Sequence, residues 1–132
     1  MERLEFKYFR QKLKKTQQQL ADLLGKSVKA IHSYEQGWRL IPADVQRQIL
    51  FLVSKAVKEK EIKQCWTTMG CPPDRKKNCP AWEFKAGRMC WFINGTICAG
   101  RPQKNWNEKL KICRSCAVFL ELMERVERIQ TE

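Results

Sequence analysis

The stretch Thr16-Gln17-Gln18-Gln19-Leu20-Ala21-Asp22-Leu23-Leu24-Gly25-Lys26-Ser27-Val28-Lys29-Ala30-Ile31-His32-Ser33-Tyr34-Glu35-Gln36-Gly37 spells two short helices joined by a tight turn. Thr16 is an N-cap, its hydroxyl placed to accept from an amide of the first turn. Gln19, three residues on, completes a capping box. Leu20, Ala21, Leu23 and Leu24 supply an apolar face. Gly25 then stops the helix in a left-handed conformation, which costs glycine least. Ser27 caps the second helix, Ile31 and Tyr34 recur at i and i+3 on its inner side, and Gly37 ends it.

Thr16-Gln17, Leu20-Ala21, Gly25, Ile31, Glu35 and Gly37 together resemble the helix-turn-helix of the phage Cro and repressor class of DNA-binding proteins. The resemblance covers about the first half of the chain. It implies that the second helix enters the major groove, with Ser27, Val28, Lys29 and Ser33 where such proteins reach base edges. It also puts Gln17 where the preceding helix meets phosphate. Val28 departs from the polar residue often found there, so a hydrogen-bonded base contact becomes a thymine-methyl contact.

The flanking segments fit that scheme. Leu4, Phe6, Phe9 and Leu13 place an apolar side on a first helix, with basic residues between them. After Gly37, Pro42 marks a boundary. From Ala43 to about Lys63 the pattern is helical again, with Val45, Ile49, Leu52, Val53 and Ala56 in one stripe. Its early turns close the DNA-binding core, and Lys55 to Lys63 form a charged connector. Arg39 is a candidate backbone contact beyond the recognition helix, or a plain surface charge.

The 26 Lys and Arg against 14 Asp and Glu give a formal charge of +12, which favours a polyanionic partner, nucleic acid first. Residues 1–64 hold fourteen of the basic and seven of the acidic residues, so the excess lies on both halves. The charged N-terminus, Met1-Glu2-Arg3-Leu4-Glu5, does not fit a secretion signal, and the longest apolar run is Ile49 to Val53. A soluble cytoplasmic protein without membrane contact is the expectation.

Beyond residue 64 the composition changes. All seven cysteines lie at Cys65, Cys71, Cys79, Cys90, Cys98, Cys113 and Cys116, and up to Asn105 no periodicity is sustained. Such a segment needs a staple. In a reducing compartment an odd, dense set of thiols points to metal ligation more than to disulfides. Cys113 and Cys116, with two residues between them and on consecutive turns of the expected last helix, are the first ligand pair; Cys79 (followed by Pro80) and Cys98 come next, with Cys65, Cys71 and Cys90 as ligands or buried thiols. Thiolates select zinc or iron–sulfur clusters, and four are needed for either zinc or a [4Fe-4S] centre. Surplus thiols and the aromatic Trp66, Trp82, Trp91, Phe92 and Trp106 favour the cluster; filler for a small core is the plainer role of those rings. Cys65-Trp66 and Cys90-Trp91 give this half a resemblance to a small cysteine-rich module with paired Cys-Trp dipeptides, appended to bacterial and archaeal sensory and regulatory proteins. The resemblance does not decide the cofactor.

The last element expected is one helix from about Asn107 to Gln130, with Ile112, Cys116, Phe119, Met123 and Val126 as an apolar seam. It either packs on its own chain or meets a protein partner. His32 is the only histidine and falls in the recognition helix. No Ser/His/Asp set, carboxylate pair or glycine-rich phosphate loop offers enzymatic chemistry, and Cys113–Cys116 lacks the strand–helix context of a thiol oxidoreductase.

The fold class expected is therefore mainly α. Residues 1–64 form a Cro/repressor-like helical DNA-binding domain, and 65–132 an irregular, metal-stapled cysteine module ending in a helix. The function expected is a sequence-specific regulator, acting as a homodimer on double-stranded DNA, whose iron–sulfur or zinc centre senses redox state or metal. The alternative is a DNA-binding adaptor with a purely structural zinc module for protein docking.

Overall fold

A computed structural model describes residues 1–57, 64–68, 70–93 and 102–129. Cys98, residues 58–63 of the expected connector and the expected helix end at Gln130 lie outside the described residues. Those described are helical or irregular, with no strand among them. None of the helices is long and apolar enough to cross a membrane. The chain divides into two compact units, 1–57 with 126–132, and 58–125.

The first unit holds α1 (Arg3–Lys12), α2 (Gln17–Leu24), α3 (Val28–Gln36) and α4 (Ala43–Ala56). Phe6 and Phe9, one turn apart on α1, are buried with Leu20, Ala21 and Leu24 of α2, Ile31 and Tyr34 of α3, and Val45, Ile49, Leu50 and Val53 of α4. Phe6 meets Tyr34 edge to face at 5.8 Å. Each side chain of this size contributes roughly 1.5–3 kcal/mol when fully buried.

Leu4, expected in the apolar side of α1, is exposed, because α1 begins at Arg3 and turns Phe6 and Phe9 inward. On α4 the buried set gains Leu50 while Ala56 is exposed and Leu52 half-buried. Helical geometry widens the inward stripe near Ile49 to include its neighbour, and the last turn lies at the edge of the core. Pro42 sits at the N-cap, and α4 begins at Ala43 as expected. At Val57 the backbone becomes extended, so α4 stops well short of Lys63.

In the second unit short pieces replace the expected irregular run. These are α5 (Cys65–Thr68), α6 (Pro73–Asn78), α7 (Pro80–Glu83) and a 3-10 turn at Cys90–Phe92. Pro73 and Pro80 both occupy first-turn positions, where the missing amide has no helical partner to lose. The single helix expected from Asn107 to Gln130 is instead two, α8 (Trp106–Cys113) and α9 (Ala117–Glu127). Asn105 caps α8 by accepting from the Glu108 amide at 3.0 Å. Ser115 Oγ donates back to the Ile112 carbonyl at 3.1 Å, a local bond that competes with helix continuation. The break rotates the apolar side: Val118, Phe119, Leu122 and Val126 are buried, whereas Ile112, Cys116 and Met123 of the expected seam are only half-buried.

Candidate nucleic-acid interface and cysteine cluster

Local devices set both ends of α2 and of α3. Thr16 Oγ1 accepts from the Gln19 amide at 3.1 Å, and Gln19 Oε1 accepts from the Thr16 amide at 2.9 Å. Gly25 is left-handed at φ 66°, and Ser27 Oγ accepts from the Ala30 amide at 3.1 Å. Gly37, at φ 79°, closes α3. These fix where α3 starts and ends independently of any ligand.

A largely buried ion pair joins α1 to the last turn of α3. Arg10 Nη2 and Nε donate to the two Glu35 carboxylate oxygens at 2.8 and 3.0 Å, a bidentate arrangement. The Glu35 side chain is only 2% exposed. Arg10 Nη1 also donates to the Lys15 carbonyl at 2.9 Å, so one guanidinium ties α3 to the loop preceding α2. Lys26 and Asp44 pair at 3.2 Å nearer the surface, where such a bridge is worth little.

With Ala30, Ile31, Tyr34 and Glu35 buried, α3 turns its other side to solvent. Ser27, Val28 and Lys29 are exposed, and Ser33 is half-buried one turn beyond Lys29. Val28 keeps 39% of its surface. Arg39 is exposed past the end of the helix. Gln17 is half-buried in the first turn of α2, and its Nε2 donates to Glu35 Oε2 at 3.3 Å, which turns the side chain inward. Any phosphate contact at Gln17 therefore falls to its backbone amide, one of the unpaired donors of a helix start.

Sequence reasoning passed over Gln36, exposed on the same side as Lys29, and Trp38, which is 71% exposed and edge-on to His32 at 5.4 Å. Helical periodicity from Lys29 was enough to find Gln36. It also passed over Lys14 and Lys15, exposed in the loop before the Thr16 cap and lining a concavity with Tyr8, Gln11 and Lys12.

In the second unit the six described cysteines are all thiols. Cys90 is buried with Ala81 and Val118, and Cys65, Cys79 and Cys116 pack against that small core. The Cys65 and Cys90 side chains are hydrogen-bonded. That bond, then burial, holds the Cys90 thiol well above the usual cysteine range, against a downward pull from Lys109. Lys109 on α8 is fully buried. Cys113, the last residue of α8, is buried but outside this cluster, and Cys71 is half-buried.

Cys113 and Cys116 were expected on consecutive turns of one helix. They are separated by the α8–α9 break, with the Cys116 amide donating to the Cys113 carbonyl at 2.9 Å. Among the described residues no three His, Cys, Asp or Glu side chains form a ready-made ion cage. Of the expected aromatic shell, Trp91 and Trp106 are buried. Trp82 is half-buried with the Lys76 and Lys85 ammonium groups 4.1 and 3.9 Å from its ring centre, and Phe92 is partly exposed.

No curated protein and no solved structure matches the chain. A family model described as Helix-turn-helix matches residues 6–45, which span most of α1, all of α2 and α3, and the start of α4. Residues 6–45 are thus similar to the helix-turn-helix family.

Proposed function

We propose that the protein is a sequence-specific transcriptional regulator that inserts α3 into the major groove of double-stranded DNA. The observation that carries this is the solvent side of α3. Val28, Lys29 and Ser33 project from a helix whose start, end and back are all fixed by capping and by the Arg10–Glu35 pair. Lys29 offers donors to guanine or phosphate, Ser33 pairs with either base edge, and Val28 offers apolar contact to a thymine methyl. Ser27 and Arg39 flank these, and the amide of Gln17 meets phosphate.

A module of this size buries too little surface for strong discrimination alone, so the proposal includes a homodimer on a two-fold-related site. Half-site centres would then lie about 34 Å apart or at multiples of that distance. Selection from a random duplex pool, followed by anisotropy titration at fixed salt, tests it. The expected result is a pseudo-palindromic site bound at least about a thousandfold more tightly than unrelated duplex. Equal affinity for all sequences would refute sequence-specific regulation.

We infer further that the second unit is a thiolate metal module, either an iron–sulfur centre or zinc, through which redox state or metal supply alters DNA binding. The support is the gathering of Cys65, Cys79, Cys90 and Cys116 on one small core. Operator affinity compared for metal-loaded, oxidised and metal-free chain tests the sensing. Identical affinities would leave the adaptor reading, in which zinc only holds a docking surface together; the exposed Phe84 and Leu120 favour it. A brown protein containing labile sulfide identifies the cluster, and a colourless one holding zinc identifies the structural ion.

A further inference from the structure

Residues 73–88 of the second unit hold five cations, Arg75, Lys76, Lys77, Lys85 and Arg88, against two acids, Asp74 and Glu83. Arg75, Lys76 and Lys77 fall in the last turn of α6, whose carbonyl end favours positive charge. Lys85 follows the end of α7, where the chain turns back. The Lys85 and Ala86 amides donate to the Trp82 and Ala81 carbonyls at 3.2 and 2.8 Å, and Lys85 is left-handed at φ 53°. Glycine suits that conformation best, yet the position carries an ammonium group.

Two like charges converge as a result. The Lys76 and Lys85 ammonium groups lie 4.1 and 3.9 Å from the centre of the Trp82 ring. Solvated lysines repel and spread apart, whereas an indole attracts both and holds them as a pair. Lys85 is exposed, and so are Arg75 and Lys77 on either side of Lys76 in the chain, which widens the basic face.

We propose that this face binds the phosphate backbone of double-stranded DNA, adding contacts to those of α3. This rests on the DNA-binding reading of the first unit and extends it to the second. A duplex carries one negative charge per about 1.7 Å of its axis, so closely spaced cations meet neighbouring phosphates. Single strands are held by stacking bases on aromatic rings, but the Trp82 ring is half-buried and already occupied by ammonium groups. A duplex gripped through α3 is at high effective concentration for a second basic surface of the same chain, which favours DNA over a separate acidic partner. Phosphate contacts carry no base preference. The face therefore adds affinity and salt dependence, while α3 keeps the choice of sequence.

The test uses the full chain and a duplex in which the selected site is flanked on each side by one helical turn, about 10 base pairs. Affinity is measured by anisotropy between about 50 and 200 mM salt. The variant R75Q/K77Q/K85N removes three exposed charges, and asparagine tolerates the left-handed backbone at position 85. Each lost phosphate contact lowers the salt slope by about 0.9. The variant should therefore show a slope shallower by about 2–3 and an affinity at low salt at least about tenfold lower, with the preferred sequence unchanged. R75K/K77R/K85R, which keeps the charges, should bind within about twofold of the unaltered chain. Lysine acylation mapped on the unaltered chain covers a variant that fails to fold: duplex should shield Lys77 and Lys85. The same titrations are run with a single strand of equal length and with phosphatidylserine vesicles, because Phe84, 66% exposed beside Lys85, is a side chain that an anionic bilayer would take up.

An unchanged salt slope in R75Q/K77Q/K85N, or equal reactivity of Lys77 and Lys85 with and without duplex, overturns the proposal while leaving α3 as the DNA reader. A loss confined to single strands or to vesicles gives the face to that partner and overturns the duplex assignment. Failure of the unaltered chain to bind any duplex overturns the DNA-binding reading and this inference with it; K29A on the same duplex judges that reading separately.

Discussion

Replacing Arg10 by methionine tests whether the helix-turn-helix depends on its buried ion pair. The change removes both donors from a carboxylate that is 2% exposed, leaving Glu35 only Gln17 Nε2 at 3.3 Å. Orphaning a buried charge in this way costs about 3–5 kcal/mol. Arg10 itself retains 15% exposure, so some water reaches the pair and the expected loss lies at the low end, about 3 kcal/mol. Loss of the bond to the Lys15 carbonyl adds about 1 kcal/mol. A unit of this length has roughly 3–10 kcal/mol of stability in all, so a loss of about 4 kcal/mol removes between about two-fifths and all of it at 25 °C. Urea denaturation followed by far-ultraviolet circular dichroism measures the difference. The double variant R10M/E35L, which leaves no charge behind, should recover most of the loss. A cost below about 1 kcal/mol for R10M, or no recovery in the double variant, would refute the reasoning.

Four further substitutions bear on the same unit. Thr16→Ala removes a reciprocal capping box and should lower stability by about 1 kcal/mol in the same denaturation assay. Gly25→Ala meets nothing within 4 Å and suffers only the left-handed backbone, about 1 kcal/mol; Gly37→Ala adds a Cβ 3.0 Å from Arg3 Cδ and should cost more unless that side chain moves. Lys29→Ala should weaken duplex binding. If the lysine reads a base, titrations against a set of single-base site variants will show preference relaxed at one position by about 1–3 kcal/mol, whereas a phosphate contact gives a uniform loss and a shallower salt dependence.

The helix-turn-helix was legible because its signals are local. Thr16 with Gln19, Gly25, Ser27 and Gly37 each act within four residues, and each adopts the conformation expected of it. The bidentate link from Arg10 to Glu35 spans twenty-five positions, and no periodicity announces it. The same holds for the Gln17 side chain, whose partner Glu35 is on another helix. Apolar spacing from Ile112 to Val126 suggested one uninterrupted helix, but it is blind to the Ser115 hydroxyl, whose bond to the Ile112 carbonyl accompanies the break. Close sequence spacing favoured Cys113 with Cys116, whereas the thiols that gather with Cys116 come from α5, from the residue before α7 and from the 3-10 turn. Convergence of distant segments is a property of packing, and pair spacing does not encode it.

Ser27 Oγ is occupied by the Ala30 amide, so the first side chain of α3 free of capping duty is Val28, which is partly exposed. Such a group has nothing to donate or accept, and at a groove contact it registers the carbon on position 5 of a pyrimidine. To it, thymine and 5-methylcytosine are equivalent, as are uracil and unmodified cytosine. With α3 in the groove as proposed, methylation of a cytosine at that contact would change the affinity without altering a base pair.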